Sequence, residues 1–227
     1  MSNEPETASI SRVQRSREEA QASYNRISRW YDLLQGHWEK APRETGLRLL
    51  DLAPGEQVLE VGFGTGHGLV AMAQAVGDGG FVVGVDLAQA MVAHARKLLR
   101  SRELDERVSL VCGDALNLPL ATASFDAAYQ SFALELFDTP EIPLVLAEFR
   151  RVLRPGGRIA VVALTKEGKP SRAVRLYEWG HEHFPRLLDC RPIYVQRSLE
   201  AAGFAVQAAE IVSMGGLHAE AVLATAP

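Results

Sequence analysis

The chain has 227 residues, of which 47% are apolar, and this is enough to build one sizeable hydrophobic core. The 24 Lys and Arg against 28 Asp and Glu give a formal net charge of −4, which excludes general disorder and disfavours a nucleic-acid binder with a broad basic surface. No apolar run reaches the roughly 18 residues that span a bilayer, and the polar N-terminus resembles neither a signal nor a transit peptide. These features predict a cytoplasmic globular protein.

The predicted elements begin with helices. After a loose segment at about residues 1–16, apolar residues recur every three or four positions over residues 17–34 and again over 38–52. The sequence Ala53-Pro54-Gly55 ends the second pattern, because proline and glycine terminate helices. We therefore predict a helical cap over residues 17–52.

Short apolar runs then alternate with helical patterns through a core of residues 53–163. The runs are predicted strands, at 57–61, 81–85, 108–112, 125–130 and 158–163. The helices predicted between them cover 69–76, 88–100 and 143–153. This alternation indicates βαβ units, and hence an α/β fold with a doubly wound, mostly parallel sheet.

The C-terminal part has two sections. Residues 164–192 form a polar insert with a predicted helix over 172–183, in which basic, acidic and apolar residues are interleaved. That pattern suits either a solvated helix face or contact with an anionic membrane surface. Residues 193–227 contain a predicted helix at 193–202 and two closing strands at 204–212 and 219–225. The whole chain, 1–227, is thus predicted to be one domain with seven strands, closed by an antiparallel hairpin.

The glycine-rich segment after the first predicted strand is the most informative motif. Its spacing is Glu60-x-Gly62-x-Gly64-x-Gly66, so the dinucleotide fingerprint GxGxxG fails and no lysine follows to make a phosphate-binding loop. A carboxylate at Glu60 would repel a pyrophosphate but suits a ligand that carries an ammonium group. S-adenosylmethionine is such a ligand, with an α-amino group, a ribose and no phosphate.

Two more acids follow predicted strands, where such a ligand would need them. Asp86 ends the second strand, 24 residues after Gly62, and could accept both ribose hydroxyls. Asp114 follows the third strand and could accept from the exocyclic amine of adenine. Open α/β sheets bind ligands at the carboxyl ends of their strands, so the three acids predict one site.

These motifs resemble the class I S-adenosylmethionine-dependent methyltransferases, and in particular the branch of the ubiquinone and menaquinone C-methyltransferases. The segments that carry the resemblance are VLEVGFGTGHG (58–68), GVDLAQAMVAHARK (84–97), CGDALNLPLATASFDAAYQSFALE (112–135) and EFRRVLRPGGRIAV (148–161). The resemblance covers about residues 24–162. It implies S-adenosylmethionine as cofactor and a methyl transfer from its sulfonium.

The resemblance also assigns roles to individual positions. Those implied to bind the cofactor are Tyr24, Tyr31, Glu60, Gly62, Gly64, Gly66, Asp86, Leu87, Met91, Asp114, Ala115, Gln130 and Ser131. Among them, Gln130 and Ser131 would lie near the sulfonium and the acceptor. Tyr24 and Tyr31 match the family's N-terminal helix, which covers the bound cofactor.

The acceptor is less closely specified. C-methylation of a quinone-type acceptor is favoured, although residues 129–135 depart from the Gly-Leu-Arg-Asn segment associated with those enzymes. The alternatives are N-methylation of a phospholipid or another amine, O- or N-methylation of a soluble metabolite, and cofactor binding without catalysis. We expect a small-molecule or lipid acceptor, no nucleic-acid partner, and a cytoplasmic location that allows peripheral contact with a membrane.

Histidines are the candidate bases. His181 and His183 are two positions apart, so on a helix at most one of them faces the site; His37 and His67 are weaker candidates. The His-x-His pattern lacks a third ligand nearby, and we predict no metal site.

Overall fold

The computed structural model describes residues 36–167, 191–214 and 216–227. The helices predicted over 17–34 and 172–183 lie outside these residues. The strands are β1 (Gln57–Val61), β2 (Phe81–Asp86), β3 (Val108–Cys112), β4 (Phe125–Ser131), β5 (Leu153–Leu164), β6 (Ala205–Met214) and β7 (Leu217–Thr225). The helices are α1 (Gly36–Leu50), α2 (His67–Val76), α3 (Gln89–Ser101), α4 (Ile142–Val152) and α5 (Val195–Ala201), and a 3-10 turn covers Leu134–Leu136.

One sheet contains all seven strands, in the order β3-β2-β1-β4-β5-β7-β6. Strands β1 to β5 pair in parallel, whereas β7 pairs antiparallel with both β5 and β6. The predicted doubly wound sheet and its closing hairpin are therefore confirmed. The strand order reverses between β1 and β4, and open α/β sheets bind ligands at such a switch point.

The predicted bounds of β1 and β3 agree with the structure, those of β2, β4, β6 and β7 are wrong by one or two residues, and the largest error is at β5. β5 begins at Leu153, not at residue 158, because Leu153 pairs with Phe125 across a register shift in β4. Residues 154–157, which lie before the predicted strand, are thus the irregular start of the observed one. Pairing of this kind depends on a partner strand distant in sequence, which a local pattern does not contain.

Helices cover both faces of the sheet. Helices α1, α2 and α3 pack on one face, where Leu50, Met72 and Leu99 are buried. Helices α4 and α5 pack on the other, where Phe149 and Leu199 are buried. Among the described helices, none is both long and apolar enough to cross a membrane.

Arg158 attaches α1 to the sheet. Its guanidinium donates to the main-chain oxygens of Leu50 (2.6 Å) and Asp51 (2.8 Å), at the C-terminal end of α1. It also forms a two-pronged ion pair with Glu56, with N···O distances of 2.7 and 2.8 Å. One half-buried side chain therefore caps the helix end and joins it to β5 and to the segment before β1.

We expect Arg158→Ala to lower the free energy of unfolding by about 2–4 kcal/mol, because carbonyls and a carboxylate lose a charged partner away from bulk water. Arg48→Ala is the matched control, since Arg48 and its partner Glu210 have exposed fractions of 61% and 45%, against 23% and 18% for Arg158 and Glu56. The control should cost less than about 1 kcal/mol. Urea unfolding measures both, and equal losses would contradict the role assigned to Arg158.

Candidate functional site

A tight glycine turn, residues 62–66, follows β1. Gly62 and Gly66 have φ angles of 74° and 91°, in the left-handed region that side chains disfavour. A Cβ atom at Gly62 would lie 2.5 Å from the Cβ of Ala133, and one at Gly66 would lie 2.8 Å from the Cβ of Ala95. The turn is therefore wedged between the segment after β4 and helix α3. Its geometry directs the start of α2 toward the carboxyl edge of the sheet.

Glu60 lies in β1 just before the glycine turn, and only 3% of it is exposed. Its Oε2 atom has no hydrogen-bond partner among the described residues. Burial raises the pKa of Glu60 to about 8; the charge of Arg43 lowers this pKa and that of Asp86 raises it. A buried carboxyl oxygen without a donor is costly, so this atom is a candidate contact for a cationic ligand.

Gly68, in the first turn of α2, leaves the space that Glu60 occupies. A Cβ atom at position 68 would lie 2.3 Å from Oε1 of Glu60. The absence of a side chain there lets the carboxyl pack directly against the helix start.

Asp86 ends β2, and the peptide backbone fixes its orientation. Oδ2 accepts a hydrogen bond from the amide of Gly64 at 3.0 Å, and Oδ1 accepts one from the amide of Ala88 at 2.9 Å. Burial raises the pKa of Asp86 to about 6, and the two amide bonds lower it. Each carboxylate oxygen keeps the capacity for a second donor, such as a ribose hydroxyl.

The residues predicted around adenosine follow β2 and β3. Asp114 is half-buried, and its Oδ1 accepts from the amide of Leu116 at 3.0 Å in a local turn. Ala115 is buried, Leu87 is half-buried, and Met91 is packed in the core. Because β2 and β3 are parallel neighbours, Asp86 and Asp114 lie at the same edge of the sheet.

The end of β4 contributes Gln130 and Ser131. Gln130 is fully buried, and neither polar atom of its side chain has a partner among the residues described. Ser131 is half-buried. Tyr129, which pairs in register with Glu60, donates its hydroxyl to the main-chain oxygen of Arg43 at 2.9 Å and so joins β4 to α1.

Four predicted residues have no description in the structure. Tyr24, Tyr31, His181 and His183 all lie outside the described residues. The cap over the cofactor and the histidine base therefore stay predictions. Within the described part of the chain, no group of three or more His, Cys, Asp or Glu is placed to hold a metal ion.

The sequence analysis missed Glu135, in the 3-10 turn after β4. It is fully buried; Oε1 accepts from the amide of Leu164 at 3.2 Å, and Oε2 has no partner among the described residues. Burial raises the pKa of Glu135 to about 8, with Glu39 raising it further and Arg191 lowering it. The only sequence signal was an acid inside the apolar run SFALELF (131–137).

Comparison with known proteins places this site in a family context. Residues 58–157 match the family described as a methyltransferase domain. Demethylmenaquinone methyltransferase of Bacillus mycoides is 34% identical over 152 residues, which are 65% of this chain and 63% of the relative. The Bacillus cytotoxicus protein of the same name matches to the same extent. The chain thus spans less than two thirds of the length of these relatives.

Solved structures share the fold at lower identity. The 1,6-didemethyltoxoflavin-N1-methyltransferase of Burkholderia thailandensis is 21% identical, with a TM-score of 0.70 over 98% of both chains. An S-adenosylmethionine-dependent methyltransferase of Aquifex aeolicus is 24% identical, with a TM-score of 0.62 over 82% of this chain and 89% of that one. A [4+2]-cyclase, SpnF, is 21% identical, with a TM-score of 0.76 over 94% of this chain and 97% of that one. The predicted resemblance to class I S-adenosylmethionine-dependent methyltransferases is confirmed.

Gly68→Ala tests whether the position of Glu60 matters for a ligand. We expect the new methyl group to displace the flexible carboxyl and weaken S-adenosylmethionine binding roughly ten-fold, about 1.4 kcal/mol, without loss of helix stability. Gly79→Ala is the matched control, because a Cβ there would meet only the Cα of Gly55, at 3.6 Å. Calorimetry measures both affinities, and an unchanged affinity for Gly68→Ala would refute the prediction.

The raised pKa of Glu60 predicts a pH-dependent cost to folding. The folded state holds this proton more tightly than the unfolded chain, whose pKa is near 4.5, so stability falls as pH rises from about 4.5 to about 8. Glu60→Gln removes that loss. Its advantage over wild type in the free energy of unfolding should be small at about pH 5 and should reach about 1–3 kcal/mol at about pH 8.5.

Urea unfolding of the cofactor-free proteins measures this difference. Glu44→Gln, on the exposed side of α1, serves as control and should show no pH-dependent difference from wild type. An advantage of Glu60→Gln that shrinks with rising pH would contradict the assignment.

Proposed function

We propose that this chain is an S-adenosylmethionine-dependent methyltransferase. The observation that carries the proposal is the buried carboxyl of Glu60, whose Oε2 has no partner among the described residues and which adjoins the glycine turn. The α-ammonium group of S-adenosylmethionine would supply both the missing donor and the opposite charge. The same pairing would lower the pKa of Glu60, so binding of the ligand would favour the ionised carboxylate, which is the form that pairs with an ammonium group.

Other residues at this edge fit the rest of the same ligand. Asp86 has one acceptor position left on each oxygen, which matches two ribose hydroxyls. At Gly64 a Cβ atom would meet no described residue within 4 Å, so this side of the turn borders open space within the described part of the chain. A pyrophosphate would instead face two carboxyl groups, those of the buried Glu60 and the half-buried Asp86, which oppose its charge.

When bound, S-adenosylmethionine supplies an electrophilic methyl group on its sulfonium. The protein would supply alignment and a site from which water is excluded. Glu60 would anchor the ammonium group of the ligand and Asp86 its ribose, and the glycine turn would let the backbone approach it closely. Gln130 and Ser131, at the end of β4, would border the sulfonium and the acceptor.

Quinone-type C-methylation is the acceptor chemistry that we favour. Its support is the similarity over 152 residues to proteins named demethylmenaquinone methyltransferase. A lipophilic quinol would be drawn from a membrane surface by a cytoplasmic enzyme in peripheral contact with it. N-methylation of a phospholipid or another amine, and O- or N-methylation of a soluble metabolite, are the alternatives that the experiment separates.

A second candidate is a protein that binds the cofactor without transferring its methyl group. The observation that favours it is the similarity of fold to a [4+2]-cyclase, whose named reaction is not a methyl transfer. Fold alone does not decide the reaction, because one scaffold carries many chemistries. Formation of S-adenosylhomocysteine in step with a methylated product separates the two candidates.

The test uses S-adenosylmethionine labelled in its methyl group, incubated with the protein and a crude cell extract that is then separated into lipid and aqueous fractions. Label in the lipid fraction would support a quinone or phospholipid acceptor, and mass analysis of the labelled product separates those two. Label only in the aqueous fraction would refute the lipid acceptor. Cofactor binding with no label in either fraction would favour the second candidate.

Asp86→Ala is the variant that tests the cofactor site. We expect its affinity for S-adenosylmethionine to fall by about 1.5–3 kcal/mol, roughly ten- to a hundred-fold or more, because the ribose loses its acceptor and Gly64 loses its anchor. Asp105→Ala, an exposed Asp next to Arg100, is the control and should bind like wild type. An unchanged affinity for Asp86→Ala, or binding of NAD in place of S-adenosylmethionine, would refute the proposal.

A further inference from the structure

The segment after β4 holds a buried acid that the binding of the cofactor leaves unused. Glu135 is fully buried, one of its oxygens has no partner among the described residues, and the chain just before it contacts the glycine turn through Ala133. Gln130, at the end of β4, is equally buried with both polar atoms of its side chain unpaired in the described part of the structure. The unpaired oxygen of Glu135 is a buried polar atom that a ligand donor could satisfy.

The backbone that positions Glu135 is strained at Phe132 and is fixed by hydrogen bonds to β5. Phe132 has a φ of 52°, a strained value for a large side chain, and its amide donates to the main-chain oxygen of Val162 at 2.8 Å. The amide of Leu164 donates to Oε1 of Glu135. These two hydrogen bonds to β5 fix the turn, so Oε2 is held in one orientation.

A second buried acid serves as a comparison. Glu220, on β7, is also almost fully buried, but its Oε2 accepts a hydrogen bond from the hydroxyl of Thr165 at 3.1 Å. Its burial is satisfied within the fold. Glu135 has no such side-chain donor among the described residues. Glu220 is therefore a structural acid, whereas Glu135 has an oxygen left for a ligand.

The charges around Glu135 select the ligand's chemistry. Glu39 on α1 lies near enough to raise its pKa, and Arg191 lowers it. Burial raises the pKa of Glu39 itself to about 7, despite the charge of Arg43. A neutral hydroxyl would offer its proton to the unpaired oxygen of Glu135 without adding a negative charge beside Glu39 and Glu60.

We infer that Glu135 contacts the methyl acceptor and acts as its general base, receiving the proton of a phenolic hydroxyl on a hydroquinol-type substrate. This inference rests on the proposed function.

The proposed reaction couples removal of the hydroxyl proton to methyl transfer onto a ring carbon. The carboxylate of Glu135 takes the hydroxyl proton, and the oxygen's electron pair moves into the ring, whose unsubstituted carbon forms the new bond to the methyl group. The bond from sulfur to methyl breaks, and sulfur keeps its electron pair, which leaves S-adenosylhomocysteine. The methylated ring carbon then loses its own proton to water, and Glu135 returns the first proton to the oxygen. One proton is released in total. A base whose pKa lies near neutrality suits this exchange.

The test compares Glu135→Gln with wild type on a reduced 2-prenyl-1,4-naphthoquinone whose adjacent ring carbon is unsubstituted. Gln keeps an acceptor for the amide of Leu164, so the fold should be retained, as thermal melting will show. We expect kcat to fall at least about a hundred-fold, with S-adenosylmethionine affinity within about two-fold of wild type. Wild-type kcat should decline toward low pH as Glu135 becomes protonated. The kcat of Glu135→Gln should not show this decline, which is the low-pH limb of the pH profile.

Two more variants make the result specific. Glu135→Asp should recover part of the activity together with a pH-dependent limb, which a merely structural role would not produce. Glu220→Gln is the matched control, and should retain wild-type kcat within about two-fold.

Each outcome decides the inference. A Glu135→Gln protein that keeps wild-type kcat and pH profile would overturn the role of Glu135 while leaving methyl transfer to the quinol intact. Wild-type protein that binds S-adenosylmethionine but methylates no quinol would overturn the acceptor, and the inference with it. If both Glu135→Gln and Glu135→Asp lose activity but keep the wild-type decline of kcat at low pH, Glu135 is not the titrating base and its role is structural.

Discussion

The reversal of the backbone after β1 is the constraint on which the rest of the site depends. Gly62 and Gly66 adopt left-handed φ angles, and each contacts a neighbour so closely that a side chain would collide with it. Because the chain turns there, α2 starts at the sheet edge next to Glu60, and Asp86 can accept from the amide of Gly64. A longer or less compact turn would separate the acids from the helix start, and the edge would lose its complementarity to a cationic, phosphate-free ligand.

The acids at this edge oppose folding. Burial raises the pKa of Glu60 and of Glu135 to about 8 in each case, so near neutral pH the fold either retains their protons or carries buried charge. Among the described residues, neither acid has a salt-bridge partner that reverses the effect of burial on its pKa. Proteins keep such groups where a ligand stabilises them, because a bound donor or cation pairs with the carboxyl oxygen that the unliganded fold leaves unpaired. Function and stability therefore conflict at the same residues, whereas Glu56, paired with Arg158, supports both the ion pair and the helix end.

Helix α1 links the two parts of the site. It lies on the sheet through Gly46, where a Cβ would come within 2.4 Å of Val162, and through the bond from Tyr129 to the main chain of Arg43. The same helix carries Glu39 and Arg43, whose charges act on Glu135 and Glu60 respectively. The helix thus contributes charge to both the proposed cofactor end and the proposed acceptor end.

The sequence by itself determined the parts of the protein that depend on local chemistry. The glycine spacing, an acid at the end of each of two strands, and alternating apolar runs predicted the sheet, β1 and β3 with their observed bounds, and the class of cofactor. Tertiary structure decided the rest. It placed Glu135 within hydrogen-bond distance of the amide of Leu164 and near Glu39. It packed the carboxyl of Glu60 against Gly68. It also extended β5 back to Leu153 through pairing with Phe125. The contacts of Leu164 with Glu135 and of Leu153 with Phe125 join residues 29 and 28 positions apart, which no local pattern contains. Burial also changes a side chain's pKa without leaving a periodic signal in the sequence.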